Sequence, residues 1–388
     1  MKPIKKVAMI LASPFPTPRA YGVTTRETLL SLNVLGHQNT VFCIRSDFMD
    51  KDFSEIKDKI ISFPENFLTQ IFAFVYKLGK SRFFRLIWRV YVVLSFLLAV
   101  KVIKNYNPTH LWIRDPITAY MSRRIFPKTQ IIFEIHDFSS LYFLKKILKN
   151  PILMTICPIS MVIDTQIKLI NPKILTQLAP MGIPQRCLAT DQQVDLYFER
   201  LNNILFSNIK IGYVGSMAPS GYSKGVEDLI FLAKFYQEHK MNVKVELIGA
   251  NLLEMKSLRS LMQELEINEK FLAVEPHVQH SIALKKMREY DILVLPMSKD
   301  VNYVGMPIKL LEYISAGKIV IAAECELYRS IFIGTYIPYF YKPGDTVSLN
   351  FAVQNSLKDP NLRQKLLEGI KFAENFTWDN RTANMIEP

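Results

Sequence analysis

Short β-rich apolar runs alternate with amphipathic stretches along the chain, the pattern of parallel strands wrapped by helices. In the first half this predicts strands over Val7–Ala12, Thr40–Ile44, His110–Ile113, Gln130–Ile135 and Leu153–Ile159. Helices are predicted over Thr24–Leu35, Phe83–Ile103 and Ser160–Ile170, and a weaker strand near Ile174–Leu178 leads into P-M-G-I-P. The more polar segment Thr190–Ser207 reads as a linker. A second alternation opens with K-I-G-Y-V-G (Lys210–Gly215). It continues as helix Val226–His239, strand Lys244–Ile248, helix Leu252–Leu265, strand Phe271–Val274 and helix Ser281–Glu289. Strand Ile292–Pro296, helix Pro307–Ser315, strand Ile319–Ala322 and a last helix near Leu362–Phe372 complete it. Two α/β arrays without a sequence repeat predict two doubly wound, Rossmann-like domains. Ligands of such sheets bind at the carboxyl ends of the strands, so facing domains would share a cleft.

A length of 388 residues fits two cores rather than one. The four cysteines (Cys43, Cys157, Cys187, Cys325) are far apart and lack metal-ligand spacing, which fits a reduced, cytoplasmic protein. The start, M-K-P-I-K-K-V-A-M-I-L-A-S, has basic residues but only a short apolar run before Pro14, Pro16 and Pro18. A first buried strand is expected there rather than a cleaved signal.

The formal net charge of +13 is unevenly spread. Residues 1–205 hold 27 Lys/Arg and 14 Asp/Glu, while residues 206–388 hold 21 of each. From Asn66 to Arg114 there is no acidic residue, and Lys77, Lys80, Arg82, Arg85, Arg89, Lys101, Lys104 and Arg114 are all basic. Among them lies the apolar run Leu86–Val100, too short to span a membrane and interrupted by Arg89. Two readings are open, and they suit different faces of one helix. Either the helix is buried against the sheet with solvated basic flanks, or residues 77–104 lie on an anionic membrane surface with Lys and Arg snorkelling to the headgroups. No helix-turn-helix, zinc-finger or ribonucleoprotein pattern accompanies the basic half, so nucleic acid is not an expected partner.

Three segments of the second half carry candidate chemistry. In G-Y-V-G-S-M-A-P-S-G-Y-S-K-G-V-E-D-L-I a strand ends at Gly215, a Gly/Ser/Pro-rich loop follows, and Lys224–Gly225 opens a helix. Such a junction either seats a phosphate on helix N–H groups or is a structural turn. In V-G-M-P-I-K-L-L-E-Y-I-S-A-G-K (Val304–Lys318), Gly305 permits close backbone approach and Pro307 suits a first helical turn. The N–H groups of Gly305, Met306 and Ile308 would point at an anion. Lys309 and Glu312 stand three apart on one helix face: either an ordinary ion pair, or Lys309 on phosphate and Glu312 on a ribose diol. In F-L-A-V-E-P-H-V-Q-H (Phe271–His280), His277 and His280 suggest a metal pair without a third ligand nearby. The alternative is a loop whose main chain around His277 and Val278 reads a base edge.

The order strand–G-S–loop–K-G, V-E-L-I-G, E-P-H-V, Y-D-I-L-V-L-P and G-M-P-I-K-L-L-E-Y-I-S-A-G-K-I-V-I-A resembles glycosyltransferase family four, the group 1 glycosyltransferases, in its K-L-x-E-Y subgroup. The similarity is clearest over residues 211–323. In the first half, R-A-Y-G-V-T-T-R-E-T-L-L-S-L-N-V-L-G-H resembles the family's glycine loop and F-E-I-H-D-F its cleft histidine motif. F-T-W-D-N-R resembles the helix that crosses back to the first domain. The resemblance implies a GT-B fold of two facing Rossmann-like domains. Residues 1–205 with 375–388 would bind the acceptor, and residues 206–374 the nucleotide-sugar.

It further implies retaining transfer from a nucleotide-sugar to a glycan or lipid-linked acceptor, without metal or other cofactor. Lys224, Lys309 and the helix N-terminus would stabilise the departing diphosphate, whose own oxygen takes the acceptor proton. His136 would contact the donor sugar or the reacting hydroxyl. Gly22 would let the first loop approach the diphosphate, and Gly215, Ser216 and Gly249 would line the donor site. Arg114 and Asp115 are acceptor-side candidates. If the acceptor is lipid-linked, the protein would be peripheral on the inner face of the membrane. The chain departs from the family in two places. Val304 stands where a Glu–x7–Glu pair has its first glutamate, and Ser216–Met217 follow the glycine where many members have Arg. Lys224 and Lys309 are then the principal charges for the diphosphate. A catalytically inactive nucleotide-sugar sensor or partner subunit, or another enzyme on this fold, stays open.

Overall fold

The computed structural model describes residues 3–17, 20–45, 51–63, 82–138, 140–203, 208–217, 224–298, 307–332 and 336–387. Its strands form two six-stranded sheets. The first contains β1 (Lys6–Phe15), β2 (Gln38–Arg45), β3 (Ile60–Phe63), β4 (His110–Ile113), β5 (Gln130–Ile135) and β6 (Met154–Pro158), in the order β3-β2-β1-β4-β5-β6. The second contains β7 (Lys210–Val214), β8 (Lys244–Ala250), β9 (Leu272–Pro276), β10 (Ile292–Leu295), β11 (Ile319–Ala323) and β12 (Tyr339–Tyr341), in the order β12-β11-β10-β7-β8-β9. All neighbours run parallel.

Helices cover the sheets, so the central strands read as unbroken apolar runs: Ile292–Leu295 and Ile319–Ala323 are buried at every position. In each sheet the strand order reverses once, between β1 and β4 and between β7 and β10. A crevice at the carboxyl ends belongs there.

By contacts the chain divides into a unit of Met1–Met181 with Trp378–Pro388 and a unit of Gly182–Tyr303 with Pro307–Thr377. Helix Trp378–Ile386 returns to the first unit as expected. Ser31 Oγ donates to the Trp378 carbonyl at 3.0 Å, and Met385 and Ile386 join the core of Val7, Met9, Leu29 and Val41.

Two local expectations change. Thr190–Ser207, read as a linker, carries helix Asp191–Asn203, which buries Val194 and Tyr197. Its start has a reciprocal cap: Gln193 N donates to Thr190 Oγ1 at 3.3 Å and Thr190 N to Gln193 Oε1 at 3.0 Å. Near Ile174–Leu178 only a bridge forms, Thr176 to Ile156, and Leu175 is exposed. Helix Arg82–Tyr106 contains the expected apolar run. It buries Tyr91, Val92, Phe96, Ala99 and Ile103 and leaves Val90, Leu94, Leu97, Leu98 and Val102 exposed. Residues 77–81 lie outside the described residues. No helix among the described residues is long and apolar enough to cross a membrane.

Candidate functional site

In the second unit the carboxyl ends of β7 and β8 meet backbone to backbone. Gly215 N donates to the Ile248 carbonyl at 2.9 Å. Gly249 has φ +120°, and a Cβ there would stand 2.2 Å from the Gly215 carbonyl oxygen, so only glycine fits. Ser216 is exposed, and its carbonyl accepts the Tyr213 hydroxyl at 2.7 Å. Lys224 N donates back to the Met217 carbonyl at 3.1 Å, which brings this lysine to the β7 end. Gly225, at φ +77°, follows it two residues before helix Glu227–Glu238.

Helix Ile308–Ser315 begins after Pro307 without a side-chain cap. The N–H groups of its first turn have no intrahelical acceptor, as at any helix start. Lys309 Nζ and Glu312 Oε2 lie 2.7 Å apart, so the i,i+3 ion pair is made. Glu312 is 3% exposed, and its Oε1 takes a 2.7 Å hydrogen bond from His280 Nε2. Burial alone would raise this carboxyl, but Lys309 and His280 outweigh it and bring it down to about 2. Burial, and then repulsion from Lys309, lowers the Lys224 ammonium to about 8. Lys224 and Lys309 are thus close enough for their charges to interact, and Lys309 stands in the first turn of helix Ile308–Ser315, an arrangement that can attract an anion.

His277 is exposed and tied to this edge through its backbone, donating to the Ala250 carbonyl at 3.1 Å; Val278 is half-buried beside it. The structure pairs His280 with Glu312. Gly305, Met306 and Val304 lie outside the described residues.

In the first unit the carboxyl ends of β4 and β5 are organised around Glu134, which is fully buried. Its Oε1 accepts from Arg381 Nη2 at 2.6 Å and from His136 Nε2 at 2.9 Å. Its Oε2 accepts from Trp112 Nε1 at 2.7 Å and from Arg114 Nε at 3.1 Å. Burial would raise the carboxyl, yet Arg114, Arg381 and His136 hold it well below the usual range. Arg114, proposed for an acceptor, spends its guanidinium inside the unit: Nη1 also donates to Thr24 Oγ1 at 3.0 Å and Thr25 Oγ1 at 3.1 Å. Asp115 caps helix Pro116–Ile125, accepting from Thr118 N at 2.8 Å and Thr118 Oγ1 at 2.9 Å. Gly22 lies in the first turn of helix Ala20–Val34, where a Cβ would stand 2.1 Å from the Thr17 carbonyl oxygen. Neighbouring backbone thus already requires the glycine. His136, at 30% side-chain exposure, is the group of this cluster that stands open to a ligand.

The region that carries these two lysines matches a known family. Residues 203–371 match the model of the glycosyl transferases group 1. This segment belongs to that family. No curated sequence relative matches the chain. Among solved structures, Anabaena HepE in complex with UDP-glucose is 13% identical with a TM-score of 0.64, over 99% of this chain and 98% of that one. Sucrose-phosphate synthase from Thermosynechococcus elongatus is 16% identical with a TM-score of 0.67, over 99% and 98%. WaaG, a glycosyltransferase involved in lipopolysaccharide biosynthesis, is 13% identical with a TM-score of 0.59, over 98% and 100%. The two parallel α/β sheets are those of the GT-B fold that the motifs implied.

Within the glycosyl transferase segment, the spacing of Lys309 and Glu312 predicts their ion pair, whereas nothing in the sequence marks His280 as the second partner of Glu312. In the first unit F-E-I-H points to its histidine and passes over Glu134. A glutamate inside a buried strand is itself a signal, since such a charge demands partners. Trp112 and Arg381, 22 and 247 residues away from it, carried none.

Proposed function

We propose that this protein is a retaining glycosyltransferase that moves a sugar from a nucleotide-sugar to a glycan or lipid-linked glycan. The single observation that carries the reading is that Lys224, drawn back to the β7 end, and Lys309, in the first turn of helix Ile308–Ser315, both stand at the carboxyl edge of the family-matched sheet. The leaving diphosphate gains charge as the glycosidic bond breaks, and fixed positive charges aimed at it lower the barrier. Glu312, kept ionised, holds the ribose diol, with Gly215, Gly249 and the first turn at Ile308 against the phosphates. The backbone near His277 and Val278 takes the base. Binding of UDP-glucose by HepE supports a donor of this chemistry. His136 faces the sugar or the incoming hydroxyl, and the leaving phosphate oxygen takes the hydroxyl proton.

The ammonium groups and the helix start supply the positive charge, so no metal is needed. The first half docks on an anionic membrane through helix Arg82–Tyr106, whose exposed Val90, Leu94, Leu97, Leu98 and Val102 adjoin Arg89, Lys101 and Lys104. That places the protein peripherally on the cytoplasmic face, beside a lipid-linked acceptor.

A thermal-shift screen of UDP, GDP, ADP and their sugars identifies the donor, because ligand binding raises apparent stability. Donor turnover by the purified protein then separates an enzyme from a sensor. Turnover is expected to persist in excess EDTA; loss of activity that manganese or magnesium restores would refute the metal-free mechanism.

A further inference from the structure

His136 is the only histidine whose imidazole meets the Glu134 carboxylate among the described residues, and their geometry constrains its chemistry. All four donors around Glu134 are fixed: Trp112 Nε1, Arg114 Nε, Arg381 Nη2 and His136 Nε2, at 2.6–3.1 Å. A carboxylate held by two guanidinium groups has no proton to give, so it accepts at every contact.

We propose that Glu134 is the positioning residue for His136, fixing its Nε2–H tautomer so that Nδ1 carries the lone pair offered to a substrate hydroxyl. Arg381, on helix Trp378–Ile386, and Arg114, after β4, act through Glu134 by keeping it an acceptor. Which ring nitrogen is free is set by the bond the other makes. A ring held in that tautomer accepts a hydroxyl hydrogen at Nδ1 rather than donating one. It thereby orients a sugar or acceptor hydroxyl through its O–H hydrogen, leaving the oxygen lone pairs free, and no proton needs to move onto Glu134. This inference rests on the reading of His136 as a group that faces the reacting sugar.

The test uses the full chain with 15N-labelled histidine. Six histidines give six ring spin systems in a long-range 1H–15N spectrum, and His136→Gln assigns one by its disappearance. The wild-type protein is expected to show His136 as the Nε2–H tautomer. An Nδ1–H tautomer in the wild-type protein overturns the proposal. Glu134→Gln offers the ring an amide that can donate as well as accept. It should yield mixed tautomers and lower kcat by about 100-fold through misorientation, with little change in donor KM. The donor is the UDP-, GDP- or ADP-sugar giving the largest thermal shift. A folded Glu134→Gln protein with wild-type kcat also overturns the proposal. Wild-type kinetics in His136→Gln would instead overturn the site reading beneath it, while the tautomer result would stand.

Discussion

Replacing Glu312 by glutamine keeps the side chain's shape and removes its charge, and the structure sets the size of the effect. The carboxyl is 3% exposed and moves from 4.5 to about 2 because Lys309 and His280 overcome the burial cost. At 1.36 kcal/mol per unit, that shift is worth roughly 3 kcal/mol in favour of the ionised, folded form. The sign follows from a depressed carboxyl. The contribution is fully present above the unfolded value of 4.5 and is lost as pH falls through about 2. Glu312→Gln should therefore destabilise the protein by roughly 3 kcal/mol at pH 7 and by about half that at pH 3. Urea unfolding of both proteins at the two pH values measures the difference. The variant should also bind the nucleotide-sugar about 10–100-fold more weakly, through lost charged hydrogen bonds. Equal midpoints at pH 7, or a difference that grows toward pH 3, would refute the ion-pair account. Unchanged donor affinity would remove Glu312 from the ribose.

Other outcomes follow from the same charges. Because Lys224 titrates at about 8 before any anion binds, kcat/KM for the donor should fall as pH rises from 7 to 9.5, and Lys224→Arg should flatten that limb. A wild-type profile that stays level would remove Lys224 from the diphosphate. Lys309→Ala should lower kcat more than it raises KM, since phosphate charge grows in the transition state; steady-state kinetics with a correct acceptor decides it. Sedimentation with anionic vesicles should be strong at low salt and only partly reversed at high salt, because apolar insertion is not screened. Glu at Arg89, Lys101 and Lys104, or Ser at Leu94, Leu97 and Leu98, should each release the protein while far-UV circular dichroism stays unchanged. A wild-type protein that ignores such vesicles leaves the exposed face without a membrane role.

Strands buried on both faces were the most legible part of the molecule. His110–Ile113 and Gln130–Ile135 match residue for residue, because such runs are short, apolar and bounded by polar residues. Helix Asp191–Asn203 was obscured by a polar solvent face, although T-x-x-Q at its start and apolar positions 194 and 197 signalled it. In the site, Lys309 and Glu312 were legible because helical spacing alone makes them neighbours. Closeness in sequence suggests His277 as a companion for His280, whereas folding turns His280 to Glu312, 32 residues on. Asp115 and Arg114 sit at a strand's carboxyl end, where chemistry is expected, yet a helix cap and a buried carboxylate occupy them. Which loops meet is decided by topology, and periodicity does not report it.

The return of helix Trp378–Ile386 has a consequence for the order in which the molecule is made. Met385 and Ile386 fill the same core as Val7 and Met9, and Arg381 compensates the buried Glu134. Until residue 386 has left the ribosome, the unit begun first lacks part of its apolar interior and one of the cations that its buried carboxylate needs. The unit of residues 182–377 has all its strands by then and can close earlier. Domains usually complete themselves from the amino terminus during synthesis. Here the order reverses, because the core around Val7 and Met9 closes only once helix Trp378–Ile386 is available to it.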